Sequence, residues 1–377
     1  GKAVVLGAAC GLLPDLDMVT RLGGEFAGLV HHRGITHSLI FLTLLAPLMG
    51  YAGYRWSKRE GSLWPWVHLA FWALVTHPLL DLFTVYGTQL FAPLSNARYA
   101  LDAVSIIDLI YALPIWAIGI WSLVRARGEP SRRLRWIATG VLVFTTGYLL
   151  VTLGLSHATK ARAERQLRAD GFEAVEVRAL PTLFLPGAWR VVARNESGDL
   201  RLGLASTWVP KRITFQRFER PPQPLVAKAL ASERGKMFQW FTGRMFRVEV
   251  SAGGADGAGG ADGAGGAGRS VTLVDARFGV VTDLRTAMFR IRFDFDGSGR
   301  LRRVRRLPRD LGLDLFGELD AWWAVMTTGH RPPSRRLPNP PARAKTWLPG
   351  AELGILPGLC CPRGWTGSTP EETNDPH

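Results

Sequence analysis

Aspartate and histidine residues that can bind a metal ion are concentrated near the start of the chain. Five of the eight histidines lie between positions 31 and 77, and carboxylates lie beside them in the sequence. The earliest pair is Asp15 and Asp17, which can offer oxygen atoms to one cation from a single loop. A loop that ends a helix, with one aspartate acting as a cap, is the alternative interpretation of this pair.

The second motif begins at position 31 and reads His-His-Arg-Gly-Ile-Thr-His-Ser. Thr36 is the predicted N-cap of the apolar helix that follows, and the preceding glycine lets the chain turn, which would bring His32 and His37 together. Neutral imidazole is a common ligand of zinc and similar ions. Arg33 can bind an anionic substrate group such as phosphate through a bidentate pair. Histidines that face lipid headgroups are the alternative.

The remaining motifs place ionisable residues within apolar segments. His77 and Asp81 are four positions apart, so their side chains share one helix face and can reach one ion. A His–Asp hydrogen bond that joins two helices is the alternative. Asp102 precedes the next apolar segment and Asp108 lies within it, where an ionisable group is costly and needs a partner. A shared metal or a hydrogen bond between helices would supply that partner.

Residues 1–157 contain five apolar segments that must position these side chains, namely Lys2–Leu13, Ser38–Tyr54, Leu63–Phe83, Ser105–Val124 and Ile137–Leu155. About 20 apolar residues span a bilayer, and tryptophans stand near the ends of these segments, where they would anchor spans at the interface. The pattern predicts an α-helical polytopic membrane bundle of about five spans. A buried soluble helix bundle is the alternative. In the predicted topology all four motifs fall at the same end of their helices, which favours one shared metal site.

The charges of the predicted loops indicate the orientation in the membrane. Loops 55–62 and 125–136 together carry eight Lys and Arg residues, whereas loops 14–37 and 84–104 carry three. The positive-inside rule then puts the first pair in the cytoplasm and the C-terminal part on the extracytoplasmic side. Four basic residues between positions 160 and 168 weaken this orientation. We expect a multi-pass membrane protein.

The second part of the chain is more polar and is predicted to form a small α+β soluble domain over residues 158–328 with a mostly antiparallel sheet. The predicted helices are 158–170, Val226–Thr242 and Asp310–Met326, and the predicted strands are Ala188–Arg194, Leu200–Val209, Phe246–Val250, Ser270–Val274 and Met288–Phe295. A Gly/Ala/Asp-rich insertion at 252–268 is expected to be a flexible loop rather than a calcium-binding repeat. The tail 329–377 is rich in Pro and Arg and is predicted to be disordered.

Composition excludes several classes of protein. Of the 377 residues 47% are hydrophobic, which excludes a chain that is disordered throughout. Three cysteines exclude a disulfide scaffold and an all-cysteine metal site. The net charge of +15 raises the question of nucleic-acid binding, but the excess arginines are spread over loops and the tail without a recognised motif. Anionic membrane lipids are therefore the expected partner, and no nucleic acid is expected.

Several runs of residues resemble the YdjM-like family of inner-membrane-associated, metal-dependent hydrolases, which are described as LexA-regulated. The resemblance is specific over residues 6 to 110 and rests on Leu12-Leu13-Pro14-Asp15-Leu16-Asp17, His32-Arg33-Gly34-Ile35-Thr36-His37-Ser38, His77-Pro78-Leu79-Leu80-Asp81 and Ala92-Pro93-Leu94-Ser95. It implies a metal site more strongly than it implies any substrate. Family members usually begin with a further helical segment, and this chain begins at Gly1, so we expect residues to be missing at its start.

The first functional hypothesis is a membrane-bound, metal-dependent hydrolase that acts on an ester or phosphoester of a lipid or lipid-linked substrate through a metal-activated water. Zinc is the expected ion, with manganese and iron as alternatives, and the predicted ligands are Asp15, Asp17, His32, His37, His77 and Asp81. Catalytic roles are predicted for Asp102, Asp108 and Arg33. The alternatives are a membrane anchor or metal-sensing protein that presents an extracytoplasmic domain, and a transporter.

Overall fold

The computed structural model describes residues 1–124, 131–182, 186–252, 268–281, 283–309 and 315–330. Most of the predicted insertion at 252–268 and nearly all of the predicted tail 329–377 lie outside the described residues. The apolar segments of the first part form the helices α1 (Lys2–Leu12), α3 (Leu39–Trp56), α4 (Trp64–Asp81), α5 (Leu109–Val124) and α6 (Arg132–Ala169), and a short helix, α2 (Ala27–His31), precedes α3.

The five predicted spans are only partly supported. Within the described residues, two helical segments are long and apolar enough to cross a membrane, Lys2–Thr20 and Arg132–Ala169. The pair Ala27–His37 and Leu39–Trp56, bent by 57°, would make a third if it forms one broken span. Helix α5 has only 16 residues, and α4 carries two histidines, two prolines and an aspartate among its 18 residues. Their length and composition explain why neither qualifies alone.

Glycines allow α3 and α4 to approach each other closely. A Cβ atom built on Gly50 would lie 2.5 Å from the Cα atom of Val67, and one built on Gly53 would lie 2.4 Å from a methyl carbon of Leu6 in α1. Small residues at such positions let helix backbones pack against each other without a hydrophobic driving force in lipid. The three helices bury a core that includes Cys10, Leu42 and Leu74.

The second part of the chain forms two four-stranded antiparallel sheets rather than the single sheet predicted. The first contains β1 (Glu176–Pro181), β2 (Ala188–Arg194), β3 (Leu200–Ser206) and β4 (Gln216–Phe218), and the second contains β5 (Phe246–Ala252), β6 (Arg269–Asp275), β7 (Arg290–Phe295) and β8 (Leu301–Leu307), each in chain order. The helices are α7 (Pro224–Ala231), α8 (Glu233–Thr242) and α9 (Leu315–Thr328). The single helix predicted over 226–242 is wrong, because Ser232 ends α7 and caps α8 by accepting a hydrogen bond from the Gly235 amide.

The helical and β-rich parts are joined by one continuous helix and one shared core. Helix α6 runs through the boundary predicted at residues 157 and 158, and Ser156 Oγ donates to the Ala179 carbonyl of β1 at 3.0 Å. On the other face of the first sheet, Tyr86 packs with Phe241 and Phe289 in the main hydrophobic cluster. The segment that follows α4 is therefore held between the helices and the sheets.

Candidate metal centre

The ends of three helices and the segments that join them hold the predicted metal-binding residues. The 3₁₀ helix Leu13–Gly23 follows α1 and carries Asp15 and Asp17, and the 3₁₀ helix Ile35–His37 precedes α3. Thr36 is not the N-cap that the sequence predicted. Ser38 caps α3 by accepting a hydrogen bond from the Phe41 amide at 3.4 Å, and the Thr36 hydroxyl donates to Asp17 Oδ2 at 2.9 Å instead.

Four side-chain atoms from these segments converge on one point. His37 Nε2 lies 3.5 Å from Asp15 Oδ1 and 3.2 Å from Asp81 Oδ2, and His77 Nε2 lies 3.6 Å from each of the same two oxygens. The His37 and His77 rings are 5.1 Å apart and meet edge to face. The structure therefore brings together these four residues, which belong to three of the four motifs predicted to share one site.

The spacing of the four atoms suits a divalent ion. Zinc–nitrogen and zinc–oxygen bonds of about 2.0–2.2 Å in a tetrahedron put neighbouring ligand atoms roughly 3.3–3.6 Å apart. The four histidine-to-carboxylate separations, 3.2–3.6 Å, lie close to this range, and the ligand atoms of Asp15, His37 and His77 all lie within 4.8 Å of one another. His37 Nε2, His77 Nε2 and Asp81 Oδ2 are also buried without a hydrogen-bond partner in the described part of the chain. Buried polar atoms are normally paired, so these three are suited to bind a cation.

The second nitrogen of each of these histidines has a partner that fixes the ring. His77 Nδ1 lies 2.7 Å from the Gly11 carbonyl oxygen, so this nitrogen donates and leaves Nε2 free to accept a cation. His37 Nδ1 lies 3.3 Å from Asp17 Oδ2 and 3.1 Å from Thr36 Oγ1. Metal-binding histidines usually donate their other N–H to a carboxylate or carbonyl, which sets the tautomer and the ring orientation.

Asp17 and His32 lie next to the four converging atoms in a different arrangement. Asp17 is almost fully buried and accepts the Arg33 amide at 2.8 Å, and its other oxygen lies 2.7 Å from His32 Nδ1. These bonds occupy both oxygens of Asp17. Asp15, Asp17 and His32 still form a second group whose ligand atoms lie within 4.8 Å of one another. The geometry favours Asp17 as a residue that positions His37 and His32. Asp17 and His32 were both predicted to be metal ligands.

Arg33 connects the centre to the aromatic core. Its backbone has φ 61°, a region that residues other than glycine seldom occupy. Its guanidinium group bonds Asp81 Oδ1 at 2.9 Å and Thr84 Oγ1 at 2.6 Å, and it lies 5.2 Å above the Tyr86 ring. The contact with Asp81 orients a candidate ligand, and the role of Arg33 in binding an anionic substrate stays a prediction.

Asp102 and Asp108, predicted to be catalytic, make their contacts elsewhere. Asp102 accepts two hydrogen bonds from the Arg178 guanidinium in β1, at 2.6 and 2.5 Å. Burial alone would lower the pKa of Arg178, but the Asp102 carboxylate outweighs burial and raises it. Asp108 accepts the Tyr148 hydroxyl at 2.7 Å and the amide of Tyr111 at 3.1 Å, which joins α5 to α6. Within the described residues, neither carboxylate contacts the histidines.

Tyr86 and Arg98 belong to the surroundings of the centre, and reasoning from the sequence missed both roles. The Tyr86 ring lies 5.3 Å from the His32 ring, and the Arg98 guanidinium lies 4.8 Å from the Tyr86 ring and 5.3 Å from that of Trp240 in α8. Burial lowers the pKa of Arg98 to about 10, with help from neighbouring arginines. Tyr86 lies in the stretch just after the His77 motif, but no spacing rule marks a stacking residue.

Comparisons with known proteins find one matching family and two curated relatives. Residues 1–159 match the family described as YdjM inner membrane protein. The "Uncharacterized protein YfhP" of Bacillus subtilis is 29% identical over 182 residues, covering 47% of this chain and 51% of that protein. "Inner membrane protein YbcI" of Escherichia coli is 35% identical over 87 residues, covering 23% of this chain and 49% of that protein. The chain thus spans about half the length of these curated relatives.

No solved structure matches the chain. All six residues predicted to bind the metal lie within the region that matches the family. Together with the apolar helices, the names of the family and of the E. coli relative support a location in a membrane. The match over residues 1–159 confirms the resemblance of this chain to the YdjM inner membrane proteins.

Proposed function

We propose that this protein is a membrane-bound, metal-dependent hydrolase in which Asp15, His37, His77 and Asp81 bind one divalent ion. The convergence of the four donor atoms supports this proposal most directly, because three of them are buried without another partner. Two imidazole and two carboxylate ligands suit zinc, and manganese or iron can use the same set. The ion would act as a Lewis acid toward the scissile group and would make a water molecule more acidic.

The chain's own residues would hold and expose this centre. The Asp15 side chain is 44% exposed, whereas that of His37 is fully buried, so a substrate would approach from the Asp15 side. Arg33 holds Asp81 and Asp17 holds His37, which keeps the donor atoms in place. The Asp17 carboxylate lies beside the centre, but His32 and the Arg33 amide occupy its two oxygens, so we assign no general base.

The surroundings of Asp15 favour an apolar or amphipathic substrate. The exposed side chains next to it in the 3₁₀ helix are those of Leu16 and Val19, and Leu12 at the end of α1 is exposed as well. Leu80, which precedes Asp81, is partly exposed. An exposed apolar rim on a membrane protein fits contact with acyl chains. An ester or phosphoester of a lipid or lipid-linked molecule is the substrate class that these residues support.

A second candidate function is non-enzymatic metal binding by a membrane anchor that presents the β-rich part. One observation favours it, namely that four protein side chains already offer donor atoms around one point. Structural zinc sites have four protein ligands, whereas catalytic sites usually keep one position open for water. In the hydrolase, Asp15 as the exposed ligand would have to yield this position or share it.

Metal analysis of the protein purified in detergent tests both candidates. The comparison uses the unchanged chain, His77→Ala/Asp81→Ala, and the matched control His68→Ala, which alters an exposed histidine on the same helix. We expect about one equivalent of metal in the first and third proteins and none in the second. Loss of metal in a variant that still elutes as a folded particle supports the site. Absence of metal from the unchanged chain rejects both functions.

Turnover then separates the two candidates. Phospholipids and their fluorescent ester and phosphoester analogues would be incubated with the three metal-loaded preparations. Hydrolysis by the unchanged chain and by His68→Ala, but not by the double variant, supports the hydrolase. A bound metal without hydrolysis of either bond type supports the anchor or sensor.

We further propose that several helices cross the inner membrane and that the β-rich part is extracytoplasmic. Loops 55–62 and 125–136 carry eight basic residues and loops 14–37 and 84–104 carry three, which supports this orientation. Alkaline phosphatase, which is active only outside the cytoplasm, provides the test when fused after residue 330. If this fusion is inactive and a reporter that works only in the cytoplasm is active at the same position, the proposed orientation is wrong.

A further inference from the structure

Helix α9 presents three large apolar side chains on its outer face. Phe316, Leu319 and Trp323 are spaced by three and four residues, so they share one side of the helix, and they are 79%, 38% and 64% exposed. The opposite side buries Ala321 and Val325 in the main hydrophobic cluster. Exposed apolar side chains grouped in this way on a helix mark a contact surface rather than scattered surface residues.

A chain of hydrogen bonds relates α9 to the helix that leaves the membrane. Arg162 of α6 donates to the carbonyl oxygen of Ser206 at the end of β3, at 3.0 Å. The hydroxyl of Ser206 donates to the carbonyl oxygen of Met326 in α9, at 3.2 Å. The last turn of α9 is therefore two hydrogen bonds away from α6 at position 162.

The apolar run of α6 ends at Leu155, seven residues before Arg162. A helix rises 1.5 Å per residue, so Arg162 lies about 10 Å beyond the end of the apolar run. Side chains on a helix lean toward its N-terminus, which brings the guanidinium group back toward the membrane. The headgroup layer extends roughly 5–8 Å beyond the hydrocarbon core. The last turn of α9 therefore lies at about the height of the headgroups.

Trp208 is a third exposed aromatic residue, and it lies at the same end of the sheet. It follows β3 directly, its amide donates to the Ser206 hydroxyl at 3.1 Å, and its side chain is 69% exposed. Lys211, in the same connection, is also exposed and lies beside Gly329 at the end of α9. Tryptophan rings and lysines are the residues that settle at the boundary between lipid and water.

We propose that α9 lies in the surface of the same membrane that α6 crosses, with Phe316, Leu319 and Trp323 inserted among the lipids and Trp208 beside them. This contact would hold the β-rich part down against the bilayer at a second point besides α6. It would fix the tilt of the two sheets relative to the membrane. The proposal concerns α9 alone and does not depend on metal binding or hydrolysis.

Quenching by labelled lipids tests this placement in the full chain. Phe316→Cys and Trp323→Cys would each be made together with Cys360→Ser and Cys361→Ser, since the remaining Cys10 is fully buried. Each single cysteine would carry an environment-sensitive NBD fluorophore in vesicles of phosphatidylethanolamine and phosphatidylglycerol, with or without a doxyl-labelled phosphatidylcholine.

The control is Glu196→Cys, at an exposed position in the turn between β2 and β3 at the opposite end of the first sheet. We expect doxyl lipid to quench NBD at positions 316 and 323 several times more strongly than at 196. Equal quenching at all three positions overturns the proposal. A blue-shifted emission at 316 and 323 without quenching also overturns it, because a protein surface such as a second copy would then cover α9.

Discussion

Replacing Asp17 with Asn should weaken metal binding without removing a ligand. The asparagine can still accept hydrogen bonds from the Arg33 amide and the Thr36 hydroxyl, now 2.8 and 2.9 Å from Asp17 Oδ2. It loses the negative charge that faces His37 Nδ1 at 3.3 Å. The His37 ring would then be a weaker base and less firmly oriented, so its Nε2 atom would bind a cation less well.

The expected loss follows from the behaviour of residues that orient metal ligands. Removing such a residue typically lowers metal affinity about 10-fold to 100-fold, or roughly 1.4–2.7 kcal/mol. Asp15→Ala removes a donor atom outright and should lower the affinity much further. Competition with a chromophoric zinc chelator, on purified protein in detergent, measures each dissociation constant. Asp320→Asn, an exposed substitution in α9, is the matched control and should leave the affinity unchanged.

Two results would refute this reasoning. If Asp17→Asn loses metal as completely as Asp15→Ala, then Asp17 is a direct ligand and the second group of Asp15, Asp17 and His32 is the true site. If Asp17→Asn binds as tightly as the unchanged chain, then the contact with His37 does not orient the ring. Size-exclusion profiles of the variants ensure that a misfolded protein is not scored as either result.

Three further predictions concern stability. Gly50→Ala should lower the midpoint of thermal unfolding, because the new Cβ would lie 2.5 Å from Val67 and overpacking costs about 1–3 kcal/mol. The control is Gly140→Ala in α6, where no atom lies within 4 Å of the added Cβ, and it should leave the midpoint unchanged. Equal midpoints for the two variants would contradict the close packing of α3 and α4. Arg178→Ala should cost about 3–5 kcal/mol by leaving Asp102 buried and unpaired, and a loss below about 1 kcal/mol in denaturant unfolding would contradict this. Removing metal with EDTA should lower the midpoint of thermal unfolding, since a ligand at 100 times its dissociation constant stabilises the folded protein by about 2.7 kcal/mol. Adding zinc should restore the midpoint.

The sequence was sufficient to find the residues of the centre but not their separate roles. His77 and Asp81 share a helix face by their spacing, and the other candidates fall at the same ends of neighbouring helices, so their convergence could be predicted. Asp102 and Asp108 were grouped with them because nothing local reveals a distant partner. Their partners Arg178 and Tyr148 are 76 and 40 residues further along the chain.

The fold was predictable where hydrophobic patterns are strong. Strand β2 matches its predicted bounds, and α1, α3 and α4 begin and end within two residues of their predicted segments, because long apolar runs dominate those segments. Strand β8 was missed because four of its seven residues are arginines, which resemble a solvated loop. Arg305 pairs with Asp294 on the neighbouring β7, a contact that only the pairing of the two strands creates.

The continuity of α6 makes the height and the rotation of the β-rich part inseparable. Ser156 and Arg162 contact the first sheet from a helix that is long and apolar enough to cross a membrane, and each inserted residue would move the sheet by 1.5 Å along the helix axis and turn it by about 100°. One extra residue after Leu155 would thus swing the sheets to another side of the helix. An insertion of seven would bring them back nearly to their original direction, but about 10 Å further from the membrane. The length of the helix between Leu155 and Arg162 therefore sets both the distance of the sheets from the membrane and their direction around the helix axis.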